Sequence, residues 1–191
     1  MSAHDEFHGC RRLIATLDQA VSGNDPAIIT RNVEKAFCHL LAEDAITLPE
    51  PLRQPASDGY ARRLIHRDPQ RGYSAIAMVW GPGQGTPVHD HDGLWCVECV
   101  LEGRIEITPY ALVERNGTRF RLLPQGSVNA GFGSVGRLIP PFEYHTVANP
   151  EDDAVAITLH VYGGDMERCN AFVPLADGWY RREERRLGFT A

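Results

Sequence analysis

Two hydrophobic patterns divide the chain. Between Cys10 and Val21, Leu13, Leu17 and Ala20 or Val21 recur at helical spacing, and Gly23 stops the run. The next segment, "NDPAIITRNVEKAFCHLLAED", offers Asp25 as a cap and Pro26 for the first helical position. Ile29, Val33, Phe37, Leu40 and Leu41 line one face of that second predicted helix. "LPEPLRQPAS", with three prolines, ends the helices and reads as an extended connector. From Tyr60 the pattern changes to short β-branched and aromatic runs, among them "YSAIAMVW", "LWCVECVLEG", "RIEITPYALV", "YHTVANP" and "AVAITLHVYG". Glycine and proline punctuate these runs closely, which predicts an antiparallel sandwich or barrel and no alternation of strand with helix.

The expected organisation is therefore mainly β. A helical region over 1–50 packs on a barrel over 57–185, in one domain spanning 1–191. The length of 191 residues suits one sizeable core, and 43% hydrophobic with 23% charged residues is ordinary for a globular chain. A formal net charge of -6 argues against broad phosphate binding, so no nucleic-acid partner is expected. "MSAHDEFHGCRRLIATLDQA" has no apolar run of signal or membrane-span length, and a cytoplasmic location without a membrane partner is expected. Five cysteines (Cys10, Cys38, Cys96, Cys99 and Cys169) are then expected to be mostly reduced. The tail "GWYRREERRLGFTA" reads as a solvated face or edge strand, because Glu183 and Glu184 interrupt its arginines.

Candidate chemistry begins at "TPVHDHDGLWCVECVLEG". On a strand, residues two apart share a side, so His89 and His91 aim two imidazoles at one point. Imidazole suits Fe, Zn, Cu and Ni alike, and the pair alone selects no metal. Gly83 lies six residues before His89, and Gly103 seven after Cys96. In "PPFEYHTVAN", His145 stands four residues before Asn149. This combination resembles the two motifs of the cupin superfamily over roughly residues 60–165. The resemblance implies a jelly-roll β-barrel with N-terminal helices, a metal inside, and His145 as the third ligand. Two residues depart from the motifs: Phe142 stands where a glycine is usual, and Cys96 where a glutamate is.

The missing carboxylate is informative. Three neutral imidazoles leave a divalent metal its full charge and open positions, which suits an anionic thiolate substrate. Glu98, the nearest carboxylate, shares strand parity with Cys96. It reads as a partner for a nearby arginine or histidine, or as a group orienting a ligand histidine. Cys99 completes a Cys-x-x-Cys with Cys96, but no helix or second cysteine pair supports a redox or zinc motif.

A cysteine at this position resembles the thiol dioxygenases, above all the cysteine dioxygenase family. "AITLHVYG" supplies Thr158, His160 and Tyr162 at period two, with Ile157, Leu159 and Val161 facing away. The set is similar to that family's Ser-x-His-x-Tyr relay, with threonine for serine. "YARRLI" resembles its Tyr-x-Arg segment, which implies Arg62 as the grip on a substrate carboxylate, with Arg63 and Arg168 as alternatives. The resemblance implies Fe(II) held by His89, His91 and His145. It also implies O2 addition to the sulfur of L-cysteine, giving cysteine sulfinic acid, and a thioether between Cys96 and Tyr162. The substrate alternatives are 3-mercaptopropionate or another small mercapto-acid such as mercaptosuccinate. Two other classes stay open: a non-catalytic metal-binding cupin, and a cupin isomerase or other oxygenase using Zn, Mn or Ni.

Overall fold

The computed structural model describes residues 7–141 and 143–190; Phe142 lies outside them. Helix α1 spans Cys10–Ala20 and α2 spans Pro26–Ala42. Asp25 caps α2, its Oδ1 accepting from the Ala27 N–H at 2.8 Å, and Pro26 occupies the first turn. Helix α1 has no side-chain cap. It starts at Gly9, with φ of 86°, where a Cβ would lie 1.7 Å from the Ala45 carbonyl oxygen, so glycine is required. The connector is less extended than its prolines suggest. A 3-10 turn forms at Glu50–Arg53, closed by the Leu52 N–H on Pro49 O, because Leu52 is drawn into the core.

Twelve strands follow among the described residues: β1 (Ala61–Asp68), β2 (Tyr73–Trp80), β3 (Val88–His89), β4 (Cys96–Glu102), β5 (Arg104–Asn116), β6 (Arg119–Pro124), β7 (Val128–Gly131), β8 (Val135–Leu138), β9 (His145–Ala148), β10 (Ala156–Tyr162), β11 (Arg168–Pro174) and β12 (Tyr180–Arg186). They form two sheets, ordered β1-β2-β10-β4-β8 and β6-β12-β11-β3-β9-β5-β7. This is the jelly-roll arrangement of a cupin, mainly β with two N-terminal helices.

Strands β2 and β10 are buried along their whole length, with different work on each face. Ala75, Ala77, Val79, Ile157, Leu159, Val161, Val97 and Cys99 point outward. They form one core with Leu13 and Leu17 of α1 and Val33, Phe37 and Leu40 of α2. Each such leucine or phenylalanine contributes about 1.5–3 kcal/mol by leaving water, so this core stabilises the barrel independently of anything bound inside. The opposite faces turn Ile76, Met78, Trp80, Cys96, Val100 and Tyr162 into the barrel. The glycine motif has a steric reason at Gly103. Its φ is 70°, and a Cβ there would sit 2.7 Å from Val155 O.

The tail differs in one respect from expectation. Its outer face is solvated, but β12 is not an edge: it pairs with β11 on one side and β6 on the other.

Candidate metal centre

His89 and His145 are direct register partners on β3 and β9, which places their rings side by side with centroids 4.5 Å apart. His91 is not on a strand, because pairing of β3 ends at His89. The segment stays extended because Asp90 is locked to β11. Asp90 N–H donates to Asn170 O at 3.1 Å, and Asn170 N–H and Nδ2–H donate to its carboxylate at 2.9 and 2.8 Å. With Asp90 held outward, both flanking histidines turn inward. The chain then reverses through Asp92 and Gly93, both at positive φ, and the Leu94 N–H closes the turn on His91 O at 3.0 Å. Asp-Gly suits such a turn.

One ligand nitrogen from each of His89, His91 and His145 lies within 4.8 Å of the other two. Nδ1–H of His145 donates to Glu143 O at 2.6 Å, and Nδ1–H of His89 to Pro87 O at 3.2 Å, so both direct an Nε2 lone pair inward. His91 and His145 are buried and His89 half-buried. Burial pushes His89 down to about 4 and His145 to about 3, and holds His91 well below the ordinary imidazole range. Neutral imidazole is the metal-binding form. The donor set therefore fits a divalent transition metal.

Beside the triad, β4 and β10 face each other in register: Cys96 opposite Tyr162, and Glu98 opposite His160. Trp80 Nε1–H donates to Thr158 Oγ1 at 2.9 Å, and Thr158 Oγ1 lies 2.7 Å from His160 Nε2. With the Glu98 carboxylate 3.3 Å from Nδ1, a neutral His160 is favoured with its proton on Nδ1, and the Thr158 hydroxyl then donates to Nε2. Around Nδ1 stand Tyr162 Oη at 3.4 Å, Cys96 Sγ at 3.9 Å and Glu98 Oε2 at 3.3 Å. Burial lowers His160 to about 3 and raises Cys96 and Tyr162 well above their ordinary values. Cys96 thus rests as a neutral thiol. Glu98, buried and raised by burial to about 7, partners His160 rather than a histidine of the triad. Cys99 points into the helix-side core, so the two cysteines of the Cys-x-x-Cys lie on opposite faces.

A cavity of about 230 Å³ joins these groups. His89, His91, His145, His160, Tyr162 and Arg62 all border it. Arg62 is buried, with Nη1–H donating to Gly188 O and Nη2–H to Met166 O, both at 3.0 Å. Its backbone N–H donates to Thr190 Oγ1, and the Thr190 N–H returns to Arg62 O. Nε has no hydrogen-bond partner among the described residues, and the fork keeps further N–H groups for a ligand. Arg63 lies on the other face of β1 and donates to Gln54 O, whereas Arg168 is exposed and paired with Asp92 at 2.7 Å. Neither borders the cavity.

Several participants are not evident in the sequence pattern. Trp80 reads as the end of an apolar strand, yet it anchors the Thr158–His160 chain and stacks on Tyr60 at 4.5 Å. Asn149 is no ligand. Its Nδ2 lies within 2.7–3.1 Å of the carbonyls of Trp80, Gly81 and Ala154, tying the end of β2 to the turn after β9. Its signal was its fixed distance from His145.

Fold and site together define a cupin with a three-histidine centre. A family model for cysteine dioxygenase type I matches residues 55–174, and the chain belongs to that family. Cysteine dioxygenase type 1 of Homo sapiens is 25% identical over 118 residues, covering 59% of this chain and 55% of that protein. The Danio rerio protein of the same name is 23% identical over 113 residues. The chain thus spans about half the length of these curated relatives. Among solved structures, one of oxalate oxidase covers 67% of this chain and 64% of its own, at 18% identity and a TM-score of 0.48. A cupin domain from Schizosaccharomyces pombe covers 63% of this chain and 74% of its own, at 14% identity and a TM-score of 0.45. No helix among the described residues is long and apolar enough to cross a membrane.

Proposed function

We propose that this chain is an iron(II)-dependent thiol dioxygenase that adds both atoms of O2 to the sulfur of L-cysteine, giving cysteine sulfinic acid. The observation that carries the reading is one cavity bordered by three converging neutral histidines, the His160–Tyr162 pair and a buried arginine. The family match supports it.

His89, His91 and His145 would hold the metal. Iron(II), when bound, supplies an electrophilic centre at which a thiolate and O2 are brought together. Arg62 takes the substrate carboxylate with its spare N–H groups, and its carbonyl partners Gly188 and Met166 fix the direction of the fork. Trp80 and Thr158 hold His160 in one tautomer. His160 positions Tyr162, whose hydroxyl is available to the substrate. Tyr60, Met78, Val147 and Met166 wall the cavity and limit water. Cys96 tunes Tyr162 from across the strand pair, whether or not the two become joined as a thioether.

A small mercapto-acid, such as 3-mercaptopropionate, is the second reading. It is favoured by the scarcity of acid groups along the cavity, whose one acidic side chain among the described residues is the exposed Asp58. Oxygen uptake by iron-loaded protein against a panel of thiol acids separates the two. A requirement for the amine supports cysteine, and indifference to it supports a mercapto-acid. Bound metal with no thiol-dependent uptake would leave a non-catalytic cupin.

A further inference from the structure

Glu98 is a buried carboxylate that the scheme above does not use. It sits directly opposite His160 in the β4–β10 register, with Oε2 3.3 Å from Nδ1 and no directed hydrogen bond to that oxygen. A buried, unsatisfied carboxylate is costly unless it has work to do. Glu98 also borders a second cavity, of about 360 Å³, between the β4–β8 pair and the β5–β7 pair. Strands β7 and β8 end their sheets among the described residues, and apart from His145 the residues lining this cavity differ from those of the first. Its walls are mostly apolar, but Asn129 and Ser134 give it polar points, and its volume exceeds that of several waters at about 30 Å³ each. His145 borders both cavities.

We propose that Glu98 is the proton-holding partner of the His160–Tyr162 relay, and that the second cavity is where the proton leaves. This rests on the thiol dioxygenase reading. Converting a thiol and O2 to a sulfinate breaks one S–H bond and forms two S–O bonds. Sulfur loses four electrons, O2 gains them, and one proton must depart. His160 already carries its proton on Nδ1, so it cannot take another there without giving one up. In one concerted shift Glu98 accepts the Nδ1 proton as Nδ1 takes the phenolic proton of Tyr162 and Tyr162 takes the proton of the thiol, so neither an imidazolate nor a phenolate forms. The net result is a thiolate and a neutral Glu98, which then discharges into water in the second cavity.

The groups facing Glu98 agree with this role. His160 and Tyr162 face it from β10, Cys96 and Cys99 lie along its own strand, and His145 borders the same cavity from β9. Arg137 of β8 is turned away into an ion pair with Glu34 at 3.0 Å, leaving Glu98 without a guanidinium. Burial raises its carboxyl to about 7, close to the ordinary thiol value of about 8.5, so a thiol proton relayed through Tyr162 and His160 can rest there near neutral pH. Glu98 acts through His160 and is a positioning residue.

The test is difference infrared spectroscopy on iron-loaded protein given L-cysteine without oxygen. The expected result is a protonated-carboxyl carbonyl band that appears on thiol binding, is lost in Glu98→Gln and returns in Glu98→Asp. Glu98→Gln should keep its iron and lower kcat about tenfold or more, with KM within about twofold. It should also lose the acid limb of the pH profile, which a merely structural role would leave in place. In an indicator-dye assay, Ala130→Leu, which narrows the second cavity, slows proton release severalfold. Thiol binding with no carboxyl band in the wild type, or a band that survives in Glu98→Gln, overturns the proton-holding role. An unchanged release rate in Ala130→Leu overturns the outlet. Failure of the wild type to bind any thiol would instead overturn the dioxygenase reading beneath both.

Discussion

Cys96 and Tyr162 stand directly opposite each other across the β4–β10 pair, and both meet Nδ1 of His160, at 3.9 and 3.4 Å. The Cys96 thiol therefore meets the Thr158–His160–Tyr162 group and stands outside the three-histidine cluster. Antiparallel register makes this contact obligatory: shifting either strand by one residue would send one member into the helix-side core. Cys96→Ala is expected to keep its iron and lose about tenfold in kcat, since only support of Tyr162 is removed. Metal analysis beside steady-state kinetics checks this, and loss of iron would make Cys96 a ligand.

Asp90 lies between two proposed ligands and points away from both. Its pairing with Asn170 ties the segment carrying His91 to β11 beyond the end of β3. Asp90→Ala should weaken iron binding about 10- to 100-fold, the range for groups that orient ligands. Far-UV circular dichroism should be unchanged. Titration with a competing chelator measures the affinity.

Arg62→Lys keeps the charge and loses the fork. The KM for cysteine should rise about one to two powers of ten, the equivalent of ~1.5–3 kcal/mol for a charged hydrogen bond. Arg62 also ties down Gly188 and Met166, so a purely structural defect is separated with cysteamine, which has no carboxylate. Its poorer turnover should be nearly indifferent to the substitution.

Stability should depend on pH through Glu98. Its carboxyl is raised in the folded protein to about 7, above its unfolded value near 4.5. The folded state then binds more protons than the unfolded state between those values. Stability from this group is fully present below about 4.5 and lost as pH rises through about 7. Glu98→Gln removes that loss. The variant should gain on the wild type by on the order of a few kcal/mol more at pH 8 than at pH 5, in denaturant titrations of metal-free protein.

Much of the site is legible in the chain because its signals are local. The period-two spacing of Thr158, His160 and Tyr162 sets their shared face, because alternate residues of a strand point to the same side. His89, His91 and His145 carry motif spacing. What stays hidden is long-range. Nothing near Arg62 announces that residues 188–190 wrap it, and nothing near Asp90 announces Asn170, eighty positions on. Trp80 is hidden differently, because an indole closing an apolar strand gives no hint that its N–H has a buried hydroxyl to meet. The pattern also made β12 a candidate edge, because charged residues on an exposed face look alike whether or not the backbone is paired on both sides.

The central claim is dioxygenation of a thiol at the three-histidine centre. Its most direct test is turnover of L-cysteine by iron-loaded protein under isotopically labelled O2, with mass analysis of the product. The prediction is a sulfinic acid carrying both labelled oxygens, formed by the wild type and absent with His91→Ala. A product with one labelled oxygen, a disulfide alone, or undiminished turnover by His91→Ala would contradict it.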